Sequence, residues 1–147
     1  MPHVVKSTII DAPTSAVWSV LRDFNGHDRW HPAVATSTIE RAQPSDRIGC
    51  VRRFRLKDGS ELRELLLALS DLEQTFSYCL LDTPIPMFNY VAHVRLLPVT
   101  DGDRTFWHWE SRFTTRPAEA EALTRMVAKE IYQAGFEAIR NHLKEAA

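Results

Sequence analysis

The sequence has no apolar run approaching the ~20 residues that cross a bilayer. Its opening, Met1-Pro2-His3-Val4-Val5-Lys6, lacks the basic-then-apolar order of a signal peptide. The expectation is a cytoplasmic protein with no membrane insertion. Only two cysteines occur, Cys50 and Cys79, without metal-ligand spacing. They read as small buried hydrophobes, with a disulfide as the lesser alternative. Neither sign of charge is in excess: 18 Lys and Arg face 19 Asp and Glu, for a net charge of −1. The broad positive field that binds nucleic acid or anionic membranes is therefore missing, and no nucleic-acid partner is expected. Gly49 stands alone, so there is no phosphate-cradling loop. There is no Gly-x-Ser-x-Gly elbow either, and nucleophilic catalysis has little support. Internal repeats and low-complexity tracts are absent.

What is present is an ordinary globular composition, 44% hydrophobic and 25% charged over 147 residues. A chain of this length buries roughly two-thirds of its unfolded surface, enough for a core and a cavity without staples. One domain spanning residues 1–147 is expected.

His3 to Ile10 reads as a strand rich in β-branched residues. Asp11 or Thr14 can cap a helix that tolerates Pro13 in its first turn, with Val17, Trp18, Val20, Leu21 and Phe24 at helical spacing. His27 to Pro32 offers a second short helical turn. Strands are then expected over 35–41, 48–56, 61–69, 75–81, 88–97 and 104–114. Lys57-Asp58-Gly59-Ser60 is a hairpin signal, because Asp-Gly suits positive φ. Leu65-Leu66-Leu67 has helical propensity, but the hairpin before it decides for strand.

Residues 118–145 predict one long helix with a single internal glycine, Gly135, and no proline. Leu123, Val127, Ile131, Ala134 and Ala138 form an apolar stripe, which Tyr132, Phe136, Ile139 and Leu143 extend sideways. An antiparallel sheet with one apolar face needs a cover, and this helix is the natural one. The fold class is α+β: a curved antiparallel sheet of about seven strands wrapped around a long C-terminal helix, with two short helices after the first strand.

Several local sequences carry a family likeness. Ile10-Asp11-Ala12-Pro13 precedes Val17-Trp18-Ser19-Val20-Leu21-Arg22-Asp23-Phe24, and Trp30-His31-Pro32 follows. Then come Gly49-Cys50-Val51-Arg52, Arg63-Glu64-Leu65-Leu66, Asn89-Tyr90 and Trp109-Glu110-Ser111-Arg112-Phe113. In order and spacing the chain resembles the START-like (SRPBCC) superfamily, most of all its bacterial polyketide cyclase/dehydrase branch. The resemblance implies a helix-grip fold around an apolar cavity. The order also resembles the plant abscisic-acid receptors, whose pocket positions would fall on Glu64, Tyr90, Ala92, Glu110, Val127, Ile131 and Gly135. Those receptors meet a ligand carboxylate with a lysine, and that position is Ala35 here. Their gate and latch sequences are replaced by Lys57-Asp58-Gly59-Ser60-Glu61 and Thr83-Pro84-Ile85-Pro86-Met87. Hormone reception by that mechanism is not expected.

Strand alternation places Phe106, His108, Glu110 and Arg112 on one face, and Trp107, Trp109, Ser111 and Phe113 on the other. The receptor likeness turns Glu110 inward. The outward Trp107/Trp109 face would then be a contact surface, and a weak homodimer rests on it alone. With the opposite parity, Trp107 and Trp109 are core. Under the inward reading, Glu64, Tyr90, His108 and Glu110 share one concavity. Glu64, His108 and Glu110 become candidates for proton transfer, with Tyr90 as a donor to a substrate oxygen. The structural alternative is that these groups pair with Arg52, Arg63, Arg95 or Arg112 and line a polar wall. Met87 and Phe88 supply an adaptable apolar lip. His27 and His31 stand at i, i+4, a spacing zinc sites use, but the Glu of the zincin pattern is missing and Pro32 breaks the helix at once. No metal and no cofactor are expected.

Three functions stay open. The leading one is binding of a small, largely apolar aromatic, polyketide-like or isoprenoid molecule inside the cavity, because the missing lysine anchor disfavours a simple monocarboxylate. The second is a cyclase or dehydratase working in the same cavity. The third is a protein-interaction module with a vestigial cavity.

Overall fold

The computed structural model describes residues 1–146. Seven strands form one antiparallel sheet in the order β1-β7-β6-β5-β4-β3-β2. They are β1 His3–Ile10, β2 Val34–Ile39, β3 Val51–Leu56, β4 Glu61–Ser70, β5 Thr75–Asp82, β6 Phe88–Val99 and β7 Arg104–Thr114. The first and last strands in this set match the expected bounds. β3 is shorter at its start, because Gly49 with φ +92 turns the chain just before it. Gly59 also sits at φ +92, and the Asp58 carboxylate accepts the Ser60 N–H at 2.8 Å, as the Asp-Gly turn requires. Leu65-Leu66-Leu67 lies in β4, where pairing on both sides overrides helix propensity.

Helix α1, Thr14–Leu21, follows β1. Its N-cap is Pro13, with no side-chain cap bond, so neither Asp11 nor Thr14 plays the capping part expected. The helix stops before Phe24, and a 3-10 turn covers Gly26–Arg29. α1 is held to the β4–β5 turn by Asp71, which accepts the Trp18 indole N–H and the Arg22 Nε–H, each at 2.8 Å.

The C-terminal helix is not uniform. A 3-10 turn at Pro117–Glu119 leads into α2, Ala120–Met126. A π-helical segment, Val127–Gln133, comes next, and α3, Ala134–Ala146, completes it. The buried positions explain the π segment. They run Leu123, Val127, Tyr132, Phe136 and Ile139. The step of five between Val127 and Tyr132 exceeds one α turn, and a π turn absorbs the extra residue. Beyond Val127, the inward stripe is therefore the one expected to lie sideways, while Ile131, Ala134 and Ala138 are only partly buried.

The sheet's concave face carries the core, with Trp107, Phe113, Leu66, Leu96 and Val94 essentially inaccessible. At Gly135 helix and sheet are in close contact. A Cβ there would lie 2.9 Å from Cζ3 of Trp109 and 3.5 Å from Cδ2 of His31. Among the described residues, no helix is long and apolar enough to cross a membrane.

Gly135→Ala should therefore destabilise the protein by about 1–3 kcal/mol, although alanine gains ~1 kcal/mol of helix propensity. Denaturant unfolding measures this, and net stabilisation would mean that the Trp109 ring yields freely.

Candidate functional site

Alternation along the strands aims five of them at one cavity of about 330 Å³. β3 contributes Arg52 and Phe54, and β4 Leu62 and Glu64. β5 adds Phe76, Tyr78 and Leu80, β6 adds Tyr90 and Val94, and β7 adds Trp107 and Trp109. His27, Trp30 and His31 close one side. Ile85 and Met87 from the β5–β6 loop and Met126, Glu130 and Ile131 from the helix form the rim, with Lys57 and Asp58 at the β3–β4 tip. Lys57, Asp58 and Glu130 are exposed, which places the mouth there. Because Ile131 and Glu130 lie in the π segment, the widened turn stands directly over the opening.

At the polar end, Arg52 Nε and Nη2 both donate to Oε1 of Glu64, at 2.9 and 2.7 Å. Nη1 donates to the Phe24 carbonyl at 2.7 Å. The guanidinium lies 3.9 Å from the Phe24 ring centroid and near the Phe54 and Tyr78 rings, an arrangement that stabilises a desolvated cation. Both partners are buried. Burial pushes the Glu64 carboxyl up from its ordinary value, and the Arg52 charge opposes that rise.

The other polar groups are mostly engaged with one another. The Tyr90 and Tyr132 hydroxyls share a hydrogen bond of 2.6 Å, and the Trp109 indole N–H donates to Tyr78 Oη at 3.2 Å. Burial holds all three tyrosines well above the usual phenol value. His31 Nδ1 accepts the Ala33 N–H at 3.2 Å, so the ring's proton sits on Nε2, which donates to the Ile131 carbonyl at 2.9 Å. This neutral ring ties the loop to the π segment. Among the described residues, His27 Nε2 is buried without a partner, its ring edge-on to Phe54. Burial lowers both histidines' pKa, and the Arg52 charge lowers them further.

The expected site residues separate into two groups. Glu64, Tyr90, Met87 and Ile131 line the cavity. Ala92 and Val127 are fully buried in the core beside it, and Gly135 shapes the helix contact with Trp109. Phe88 points outward and is 55% exposed. His108 and Glu110 lie on the outer face, which corrects the expected parity. Glu110 is bound to His3 on β1 at 2.8 Å, and its side chain is 32% exposed. His108 stands 3.7 Å from the same carboxylate. Directly paired residues share a face, and Glu110 pairs with His93, not Tyr90. Burying two indoles and a phenyl ring is favourable, whereas burying Glu110, His108 and Arg112 would strand charges. Trp107 and Trp109 are thus core, and the outward aromatic surface expected for a dimer or protein partner does not exist. The sequence reading missed Tyr78 and His27 as cavity groups, and named Arg52 only as one of four arginines that could pair with the wall's polar groups. Arg52 was legible as the residue cross-strand from Glu64 across the Asp-Gly hairpin.

A family described as polyketide cyclase/dehydrase and lipid transport matches residues 1–144. No curated protein matches the chain. Among solved structures, the protein XoxI from Bacillus cereus is similar at 23% identity and a TM-score of 0.86, over 99% of this chain and 98% of that one. The Zhui aromatase/cyclase from Streptomyces sp. R1128 is similar at 20% identity and a TM-score of 0.81, over 98% and 94%. A START superfamily protein from Mycobacterium smegmatis is similar at 13% identity and a TM-score of 0.81, over 99% of both chains. At these identities the likeness is one of fold.

Two outcomes follow from the buried charges. Arg52→Met should cost about 3–5 kcal/mol in denaturant unfolding, because it strands the Glu64 carboxylate; Arg52→Met combined with Glu64→Leu should recover most of the loss. A double variant as unstable as the single one would show that the pair contributes through packing alone. The histidines set a pH dependence. Their folded pKa values lie below 6.5, so the unfolded chain binds more protons below that pH. Their stabilising contribution is complete above pH ~6.5 and falls as pH drops, by up to ~1.4 kcal/mol per unit for each ring. Glu64 acts with the opposite sign, so the histidine share is read as the difference between wild-type and His27→Leu stability curves from pH 7.5 to 5.5. The variant's curve should be flatter.

Proposed function

The chain belongs to the polyketide cyclase/dehydrase and lipid transport family, and on that premise we propose that it binds a small, largely apolar molecule between its sheet and C-terminal helix. One observation supports this most: a cavity of about 330 Å³, walled by aromatic side chains, holds a few convergent polar groups at its Arg52–Glu64 end. Ligand sites of other proteins have this make-up and start at about this volume. The size suits a compact aromatic, polyketide-like or isoprenoid skeleton. Its apolar body would lie against Trp30, Phe54, Phe76 and Trp107, and its oxygen functions would face Glu64 and Tyr90. Met87 and Ile131 would close over it at the rim.

A cyclase or dehydratase activity is the second reading. Its support is the Glu64 carboxyl, a titratable group in the same water-poor space whose pKa burial raises against the pull of Arg52. His108 and Glu110 have no part in it, since they lie across the sheet.

Native mass spectrometry of the protein purified from cells that make it should show a reproducible adduct of a few hundred daltons. Val94→Phe, which fills the cavity from its sheet wall, should lose that adduct while keeping the wild-type circular dichroism spectrum. A bare mass from both proteins, with no shift on exposure to a library of apolar metabolites, would overturn the reading. A captured ligand whose mass changes on incubation with fresh protein would establish turnover.

A further inference from the structure

The Arg52–Glu64 pair also bears on the charge of the ligand. Both arginine bonds fall on one oxygen, Oε1, and neither on Oε2. The guanidinium is further engaged by the Phe24 carbonyl and enclosed by aromatic rings. Its charge is thus already matched by a carboxylate in the same wall. The other cationic group on the cavity, Lys57, is exposed at the mouth. His27 and His31 are held neutral by burial. A ligand carboxylate entering this end would share one guanidinium with Glu64, two anions in a water-poor space, where like charges interact far more strongly than in water. A ligand hydroxyl meets the reverse situation: Oε2 is a charged acceptor, and charge-assisted hydrogen bonds are about twice as strong as neutral ones.

We propose that Glu64 is the specificity-determining residue of the cavity: it selects ligands that present a neutral hydroxyl donor and rejects their carboxylate counterparts. The inference rests on the cavity being the binding site. It goes beyond that reading by assigning the discrimination to one carboxylate whose charge can be removed with little change of shape. Glu64→Gln keeps an oxygen to accept from Arg52 but leaves the guanidinium uncompensated. The same end of the cavity then becomes an anion site, where bidentate guanidinium–carboxylate pairing is available to the ligand.

The test uses two probes on one rigid ring system, 2-naphthol and 2-naphthoate, titrated by isothermal calorimetry at pH 7.5 into the full chain. Wild type should bind 2-naphthol at least tenfold more tightly than 2-naphthoate. Glu64→Gln should invert the order, with 2-naphthoate gaining at least tenfold. The double variant Arg52→Gln/Glu64→Gln carries neither charge and should lose the preference. Thermal unfolding of each protein accompanies the titrations, and the double variant keeps the test in force if Glu64→Gln does not fold. Equal affinity of both probes for wild type, or tighter 2-naphthoate binding unaltered by Glu64→Gln, would overturn the inference and leave the cavity reading standing. Binding of neither probe to any of the folded proteins would overturn both.

Discussion

The contact between Trp109 and the C-terminal helix at Gly135 is the constraint on which the rest of the structure depends. The indole reaches the helix backbone only because position 135 has no side chain. Once seated there, it stacks on Tyr132 at 4.2 Å between ring centroids and donates its N–H to Tyr78. Tyr132 in turn holds the Tyr90 hydroxyl. Three strands and the helix are thereby fixed at one point. The helix is drawn onto the sheet around Phe136 and Ile139, and the cavity lies where Met126, Glu130 and Ile131 face strands they do not fill.

The π segment follows from the same docking. Leu123 and Val127 belong to one apolar stripe, and Tyr132, Phe136 and Ile139 to another displaced by one residue. A straight α-helix could bury one stripe or the other. Insertion of a single residue lets both face the sheet, and it leaves the widened backbone above the cavity mouth. There His31 bridges the Ile131 carbonyl to the Ala33 N–H, so helix, loop and mouth are connected through one neutral ring.

Within the cavity, apolar walls and an ion pair impose opposite demands. Aromatic burial is favourable by area, while each unpaired ion would cost several kcal/mol. Arg52 and Glu64 reconcile the two because they stand opposite each other across β3 and β4, each neutralising the other. The outer face solves its own problem with water, and the His3–Glu110 pair stays half-exposed there. The two faces of β7 thus carry different chemistry from alternate residues of a single segment.

The strand sequence, the Asp-Gly hairpin, the antiparallel meander and the covering helix were all legible in the sequence, because local periodicity and turn chemistry determine them. Glu64 was placed at the cavity by the receptor likeness, and it does line the cavity, from the same face of β4 as Leu62 and Leu66. The face of β7 was legible too, from Trp107, Trp109 and Phe113 at alternate positions; analogy with the receptors turned it the wrong way, and desolvation turned it back. The sequence could not choose between the two helical stripes. That choice depends on where Trp109 meets Gly135, a contact between residues 26 positions apart. It could not tell that Tyr132 would meet Tyr90, or that His31 would reach Ile131, for the same reason. Periodicity determines which side of an element is apolar; only the packing of sheet against helix decided which of those side chains meet, and how much space they leave between them.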